Sequence, residues 1–238
     1  MKKTKKKVKK MLISFLSVVI ITILYAYIDD TINRYYAKNI ESYDIGAIPE
    51  YDGKSYVVIN NNQPLFADKD YEMPSFEQYS DLDLLGRAGV AFANIGIDLM
   101  PTTPRESISM IKPTGFKISK YDFIDGKYLY NRCHLIGYQL TGENANEKNL
   151  ITCTRSMNTK GMLDFENKVT NYVKKTKKHV LYRVTPIYKG ANLLASGVEI
   201  EASSVEDKCK DICFHVYVYN VQDGVKIDYH NGNNELIG

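Results

Sequence analysis

The chain has no tryptophan, only four cysteines among 238 residues, no internal repeat and no low-complexity tract beyond a lysine run at its start. Without a repeat, solenoids and propellers are excluded. Without tryptophan, the aromatic surface rests on 19 tyrosines, which can stack bases but more commonly cover β surface. Cys209 and Cys213 form one close pair, with no second pair and no His-x₃₋₅-His, which argues against a structural zinc site. Cys133, Cys153, Cys209 and Cys213 therefore read as up to two disulfides with three possible pairings, or as buried thiols. Basic excess is also missing where it would matter. Residues 1–30 hold 7 of the 31 Lys+Arg and 2 of the 28 Asp+Glu, leaving 24 against 26, or −2. Bulk attraction of a polyanion to the rest of the chain is excluded, so phosphate contacts must come from local groups.

What is present begins with a long apolar run. Met11–Ile28 is uncharged over 18 residues, about 27 Å as a helix against a hydrocarbon core of about 30 Å. Seven lysines precede it and Asp29-Asp30 follow, an asymmetry that keeps residues 1–10 in the cytoplasm. Tyr25 and Tyr27 suit the outer interface. Neither an Ala-x-Ala-like site nor a lipobox cysteine follows, so the expectation is a single-pass membrane anchor with the remainder outside the cell. Cleavage and secretion is the alternative, and export makes disulfides permissible. Residues 29–62 read as a stalk leading into the domain, with a first strand at Ser55–Asn60. Residues 63–238 are enough for one domain with a sizeable core.

Within it, Arg87–Asn94 and Tyr128–Leu135 have strand composition, and Pro101, Pro104, Pro113 and Gly115 break the stretch between them into loops. After Asn158, the residues Met162, Phe165, Val169, Tyr172 and Val173 recur at helical spacing. Asn158 would be the N-cap. Val180–Tyr188, Leu193–Ala202 and Ile212–Val221 read as strands, the last alternating as a half-buried antiparallel strand. The fold class is α+β, with helix and antiparallel sheet and the site at one sheet edge.

Asn131-Arg132-Cys133-His134, then Asn149 and Asn158, place one histidine, one arginine and neutral amide oxygens within 28 residues, in order. Phosphodiester hydrolysis needs a base for water, a cation on the phosphate and a metal on the leaving oxygen. Imidazole serves as base near neutral pH, an arginine fork grips phosphate, and Asn158 can be a ligand for Mg²⁺, which keeps most of its waters. Arg87, Arg105 and Arg155 are further phosphate candidates. His179, His215 and His230 have no motif around them and read as structural.

The ordered set resembles the DNA/RNA non-specific endonuclease family, whose signature reads Asp-Arg-Gly-His on a ββα-metal (His-Me finger) scaffold. Asn-Arg-Cys-His-Leu-Ile-Gly-Tyr-Gln-Leu at 131–140 looks most like its membrane-associated DNA-uptake nucleases. The resemblance covers roughly residues 84–222. It implies His134 as general base, Arg132 and Asn149 in the active site, Asn158 as metal ligand and Glu166 behind a metal-bound water. It also implies Mg²⁺ with Mn²⁺ as a substitute, DNA or alternatively RNA as partner, and 5′-phosphate products. Asn131 stands for the usual aspartate and Cys133 for the usual glycine. The first loses a charge and the second cannot rely on φ > 0, and these two departures support the alternative of a catalytically weak surface DNA-binding protein.

Overall fold

The computed structural model describes residues 17–19, 46 and 48–237. The expected anchor at 11–28 and most of residues 29–47 lie outside the described residues. Among the described residues, no helix is long and apolar enough to cross a membrane. The described residues from 48 onward form one compact unit.

Its frame is a six-stranded, wholly antiparallel sheet. The strands are β1 (Tyr56–Val58), β2 (Phe76–Tyr79), β3 (Ala91–Ile95), β6 (Val180–Ile187), β7 (Gly197–Ser204) and β8 (Cys213–Tyr219). They lie side by side in the order β1-β8-β7-β6-β3-β2. Because β1 pairs with β8, the sheet begins before residue 63. β7 starts four residues later than the expected Leu193, because residues 190–196 turn instead.

A second antiparallel pair, β4 (Tyr130–His134) and β5 (Leu150–Thr154), is separate from this sheet. The site is therefore not at an edge of the main sheet as expected. It lies in the layer packed on one face. A short helix α1 (Tyr138–Thr141) follows β4, and helix α2 (Leu163–Thr176) follows β5 after a π turn at Met157–Met162. Val169 and Val173 of α2, Cys133 of β4 and Ile151 of β5 share one core with Val184, Ile200 and Val216 of the sheet. Burying each such aliphatic side chain contributes about 1.5–3 kcal/mol. The helical face expected from spacing is the one that is buried, Phe165 included.

The other sheet face carries charge, and it is buried too. Phe92, Arg183, Glu201 and His215 are lateral neighbours across β3, β6, β7 and β8. β8 was expected to be half-buried, but its polar side is closed off by residues 59–72. His215 Nδ1 donates to Gln63 O at 2.8 Å, Arg183 Nη2 to Leu65 O at 2.9 Å, and Leu65 N to Glu201 Oε1 at 2.7 Å. Arg183 Nε meets Glu201 Oε2 at 2.6 Å, and His215 Nε2 meets Glu199 Oε1 at 2.5 Å. Strand alternation hid this layer because its polar residues satisfy one another instead of water. Two disulfides form, Cys133–Cys153 and Cys209–Cys213.

Candidate active site

A cleft of about 290 Å³ lies where β4, α1 and the start of α2 converge, lined by Arg105, Arg132, His134, Gly137, Tyr138, Gln139, Asn158, Leu163 and Glu166. The structure thus brings together four of the five expected residues.

His134 ends β4 and is almost wholly buried. Its Nε2 lies 2.7 Å from Asn144 O. A carbonyl can only accept, so Nε2 carries the proton and the neutral ring keeps its lone pair on Nδ1. Burial pushes the imidazole pKa down to about 4; the Asn144 carbonyl opposes this and the Arg105 charge adds to it. Near neutral pH this histidine is uncharged, with Nδ1 free to take up a proton.

Asn158 reaches the cleft by a different local structure from the expected one. The N-cap is Thr154, whose Oγ1 accepts Met157 N–H at 3.0 Å, so Asn158 lies inside the π turn. In an unbroken α-helix the eight residues to Glu166 would leave the two side chains about 80° apart. A π turn spends more residues per revolution, which draws Asn158 and Glu166 toward one wall. Gly161 lets this turn lie against β8, since a Cβ there would come within 2.3 Å of Val218 Cγ1.

Glu166 is half-buried. Burial pushes its carboxyl up to about 7, while Gln139 and Arg105 pull it down. Its hydrogen-bond partner is Gln139 Nε2, at a long 3.4 Å. Gly137 makes room for it, since a Cβ there would stand 2.5 Å from Glu166 Oε2. A confined carboxylate with spare lone pairs, beside an amide oxygen donor, fits a hard divalent cation.

Arg132 lines the cleft with much of its fork committed. Nε donates to Ile111 O, Nη2 to Ser109 O at 3.0 Å, and the guanidinium stacks 4.2 Å from the Phe116 ring centre. It ties down the loop that carries Arg105. Arg105 is exposed in the cleft, with no hydrogen bond or ion pair among the described residues. By sequence it is indistinguishable from two arginines that turn out to be occupied. Arg155 binds Asp125 at 2.8 Å, and Arg87 binds Asp83 at 2.6 Å. Only the fold around Arg132 separates Arg105 from them.

Asn149 does not come to the cleft. It is fully buried, its Oδ1 accepting Ile136 N–H at 2.9 Å and its Nδ2 donating to Ile136 O at 3.0 Å. Through these two bonds it braces the turn after His134, and its side chain does not line the cleft.

Glu199, Glu201 and His215 place potential ligand atoms within 4.8 Å of one another. Glu201 already accepts from Arg183 and Leu65 N–H, and His215 bonds Gln63 O and Glu199, so this cluster is an ion-pair network on the opposite sheet face.

A family model for DNA/RNA non-specific endonuclease matches residues 68–206, 139 of the 238 residues. A deoxyribonuclease of Streptococcus dysgalactiae subsp. equisimilis is 33% identical over 124 residues, covering 50% of this chain and 36% of that protein. The chain thus spans about a third of that curated relative. NucA from Streptococcus agalactiae with magnesium bound is similar in structure, with TM-score 0.70 and 25% identity over 81% of this chain and 92% of that one. Sda1 nuclease with bound zinc has TM-score 0.60 and 27% identity, covering 78% and 97%. The ββα arrangement of β4, β5 and α2, with His134 and Asn158 facing one cleft, accords with these likenesses, and the chain belongs to the DNA/RNA non-specific endonuclease family.

Proposed function

We propose that this protein is a metal-dependent, sequence-tolerant endonuclease acting on DNA, with RNA as the alternative substrate, and that His134 is its general base. The observation that carries this reading is the fixed tautomer. Nε2–H is locked on Asn144 O at 2.7 Å, leaving Nδ1 to take a proton from water. Arg105 holds a non-bridging phosphate oxygen, and Arg132 keeps the Arg105 loop in place while its other guanidinium donors remain available to phosphate. Asn158 would hold the cation and Glu166 would stand behind it as a hydrogen-bond acceptor. A divalent ion bound there, Mg²⁺ with Mn²⁺ as substitute, supplies positive charge to the phosphate and the leaving oxygen. Asn149 is a positioning residue, since it fixes the turn between His134 and α1. Phosphate-directed contacts carry no base code, which supports low sequence specificity.

The lysine-flanked run at 11–28 supports a cell-membrane anchor, with the nuclease domain outside the cell. Release into the medium after cleavage is the second localisation. The test is incubation of the purified protein with plasmid and with RNA, in Mg²⁺ and in EDTA. Metal-dependent cleavage with 5′-phosphate ends is expected, and intact substrate in Mg²⁺ or Mn²⁺ would overturn the reading. Fractionation tests the location: the full chain should stay with membranes after a high-salt wash, and a soluble form beginning near residue 30 would contradict anchoring.

A further inference from the structure

At its end away from the cleft, α2 carries a group of lysines that the catalytic reading leaves without a task. Lys174, Lys175 and Lys177 are exposed there, as are Lys208 and Lys210 on the β7–β8 turn. The turn is held against the helix end. Tyr172 donates its hydroxyl to Asp207 Oδ2 at 3.1 Å, His179 N donates to Glu206 at 3.0 Å, and Val205 N donates to His179 O at 3.0 Å. Cys209–Cys213 closes the turn.

Charge is sorted within this unit. The carboxylate of Asp207 accepts hydrogen bonds from Tyr172, Ser204 and the backbone at 210 and 211, and Glu206 accepts from His179. Both carboxylates stay ionised, and Lys178 meets Asp207 at 3.8 Å, so the surplus positive charge lies on the other lysines. Among the described residues, none of the five lysines forms an ion pair. Of the acids on this turn, Glu206 is exposed but engaged by His179, and Asp211 is exposed beside the lysines. Two of the lysines also occupy backbone positions that favour glycine. Lys177 has φ 60° at the helix C-cap and Lys208 has φ 52°. Left-handed conformation is uncommon for a residue with a Cβ.

The patch is also continuous with the cleft. Leu163 lines the cleft, and Asn167, Asn171 and Lys174 follow at offsets of 4, 8 and 11 residues, all exposed. At about 100° per residue these four fall within an arc of about 80° on one helix face. None of the four is acidic, and the exposed Asp164 lies about 20° outside that arc, beside Leu163. The length of the path, 11 residues at about 1.5 Å, is about 16 Å, or about five phosphates of one strand at about 3.4 Å each.

We infer that these lysines form a second docking surface for the phosphate backbone of the nucleic-acid substrate, about five nucleotides from the bond that is cut. This rests on the nuclease reading and deepens it. The chain carries −2 beyond residue 30, so bulk attraction is absent and affinity for long substrates would come from this patch.

The test uses the full chain and the variant Lys174→Gln, Lys175→Gln, Lys208→Gln, Lys210→Gln, which changes exposed side chains only. Binding of a 20-base-pair duplex in EDTA is measured against salt, and cleavage in Mg²⁺ is compared for the duplex and for a trinucleotide too short to reach the patch. The slope of log Kd against log salt should fall by about 2–4, at about 0.9 for each phosphate no longer neutralised. Duplex kcat/KM should drop about tenfold at low salt, with trinucleotide cleavage unchanged. An unchanged slope would overturn the proposal. So would a variant that loses binding to vesicles containing anionic lipid while keeping its duplex slope. If wild type cleaves neither substrate, the nuclease reading fails instead, and the slope still reports on the patch.

Discussion

Two histidines are buried on opposite sides of the central sheet, and their surroundings push them in opposite directions. His215 donates from both ring nitrogens, to Gln63 O and to Glu199, which requires the imidazolium. Burial disfavours that charge, but Glu199 and Glu201 outweigh it and raise its pKa. His134 donates from one nitrogen only, and burial drives its pKa down to about 4. The carboxylates differ in the same way. Glu201 is matched to Arg183 at 2.6 Å, whereas Glu166 sits with its pKa raised to about 7 and one long hydrogen bond. Burial alone therefore does not mark a site. Buried groups left unmatched mark it, because their needs are met only when water, metal and phosphate arrive.

The sharpest way to break this contrast is to mutate each side. His134→Ala should lower kcat by at least about 10²-fold, the scale of a positioned base, with the fold retained. Arg183→Met should do the reverse. It strands Glu201 and costs about 3–5 kcal/mol of stability, read by denaturant unfolding, while kcat of the folded fraction stays near wild type. If Arg183→Met abolished turnover without lowering stability, the division between the two faces would be wrong.

Next come the metal-side groups. Asn158→Ala should remove activity together with its response to added Mg²⁺, and Glu166→Gln should cost about 10–100-fold, the usual effect of a group behind a metal ligand. Titrations of kcat against metal concentration check both. A silent Asn158→Ala beside a ruinous Glu166→Gln would reverse the ligand order.

Much of this site was legible because its chemistry is local in sequence. Arg132 and His134 share one strand, and Asn158 and Glu166 share one helical segment, so short spacing sufficed. Helix α2 was legible from the spacing of Phe165, Val169 and Val173. Arg105 was not, because its position depends on Arg132 gripping the carbonyls of Ser109 and Ile111 across a loop without periodicity. The π turn was hidden because Asn158 resembles an N-cap while Thr154 does the capping. Asn149 had the right residue type in the right order, yet its amide bonds to Ile136. The charged sheet face was misread as solvent-facing because ion pairing across strands leaves no sequence period.

Acidity offers a finer test. In the metal-free protein His134 has a depressed pKa, so the folded state binds fewer protons than the unfolded one between about 4 and 6.5. Its contribution to stability is present above pH 6.5 and lost as pH falls through about 4. Glu166 has a raised pKa, so its contribution is present below about 4.5 and lost as pH rises through about 7. Glu166→Gln should flatten the decline on the neutral side in unfolding curves taken in EDTA, and an unchanged profile would remove Glu166 from the account. The smallest expected difference separates the two disulfides. Cys133–Cys153 spans 20 residues and Cys209–Cys213 spans 4, so loop entropy assigns about 3 and about 2 kcal/mol respectively. Paired Cys→Ala variants should order their midpoints accordingly.

The most direct measurement is plasmid cleavage by wild type, His134→Ala and His215→Ala in saturating Mg²⁺, each normalised to its folded fraction. Loss of at least about 10²-fold in His134→Ala alone, partly restored by added imidazole, is the expected result. Near-wild-type turnover by His134→Ala would contradict the assignment of the unmatched histidine as the base.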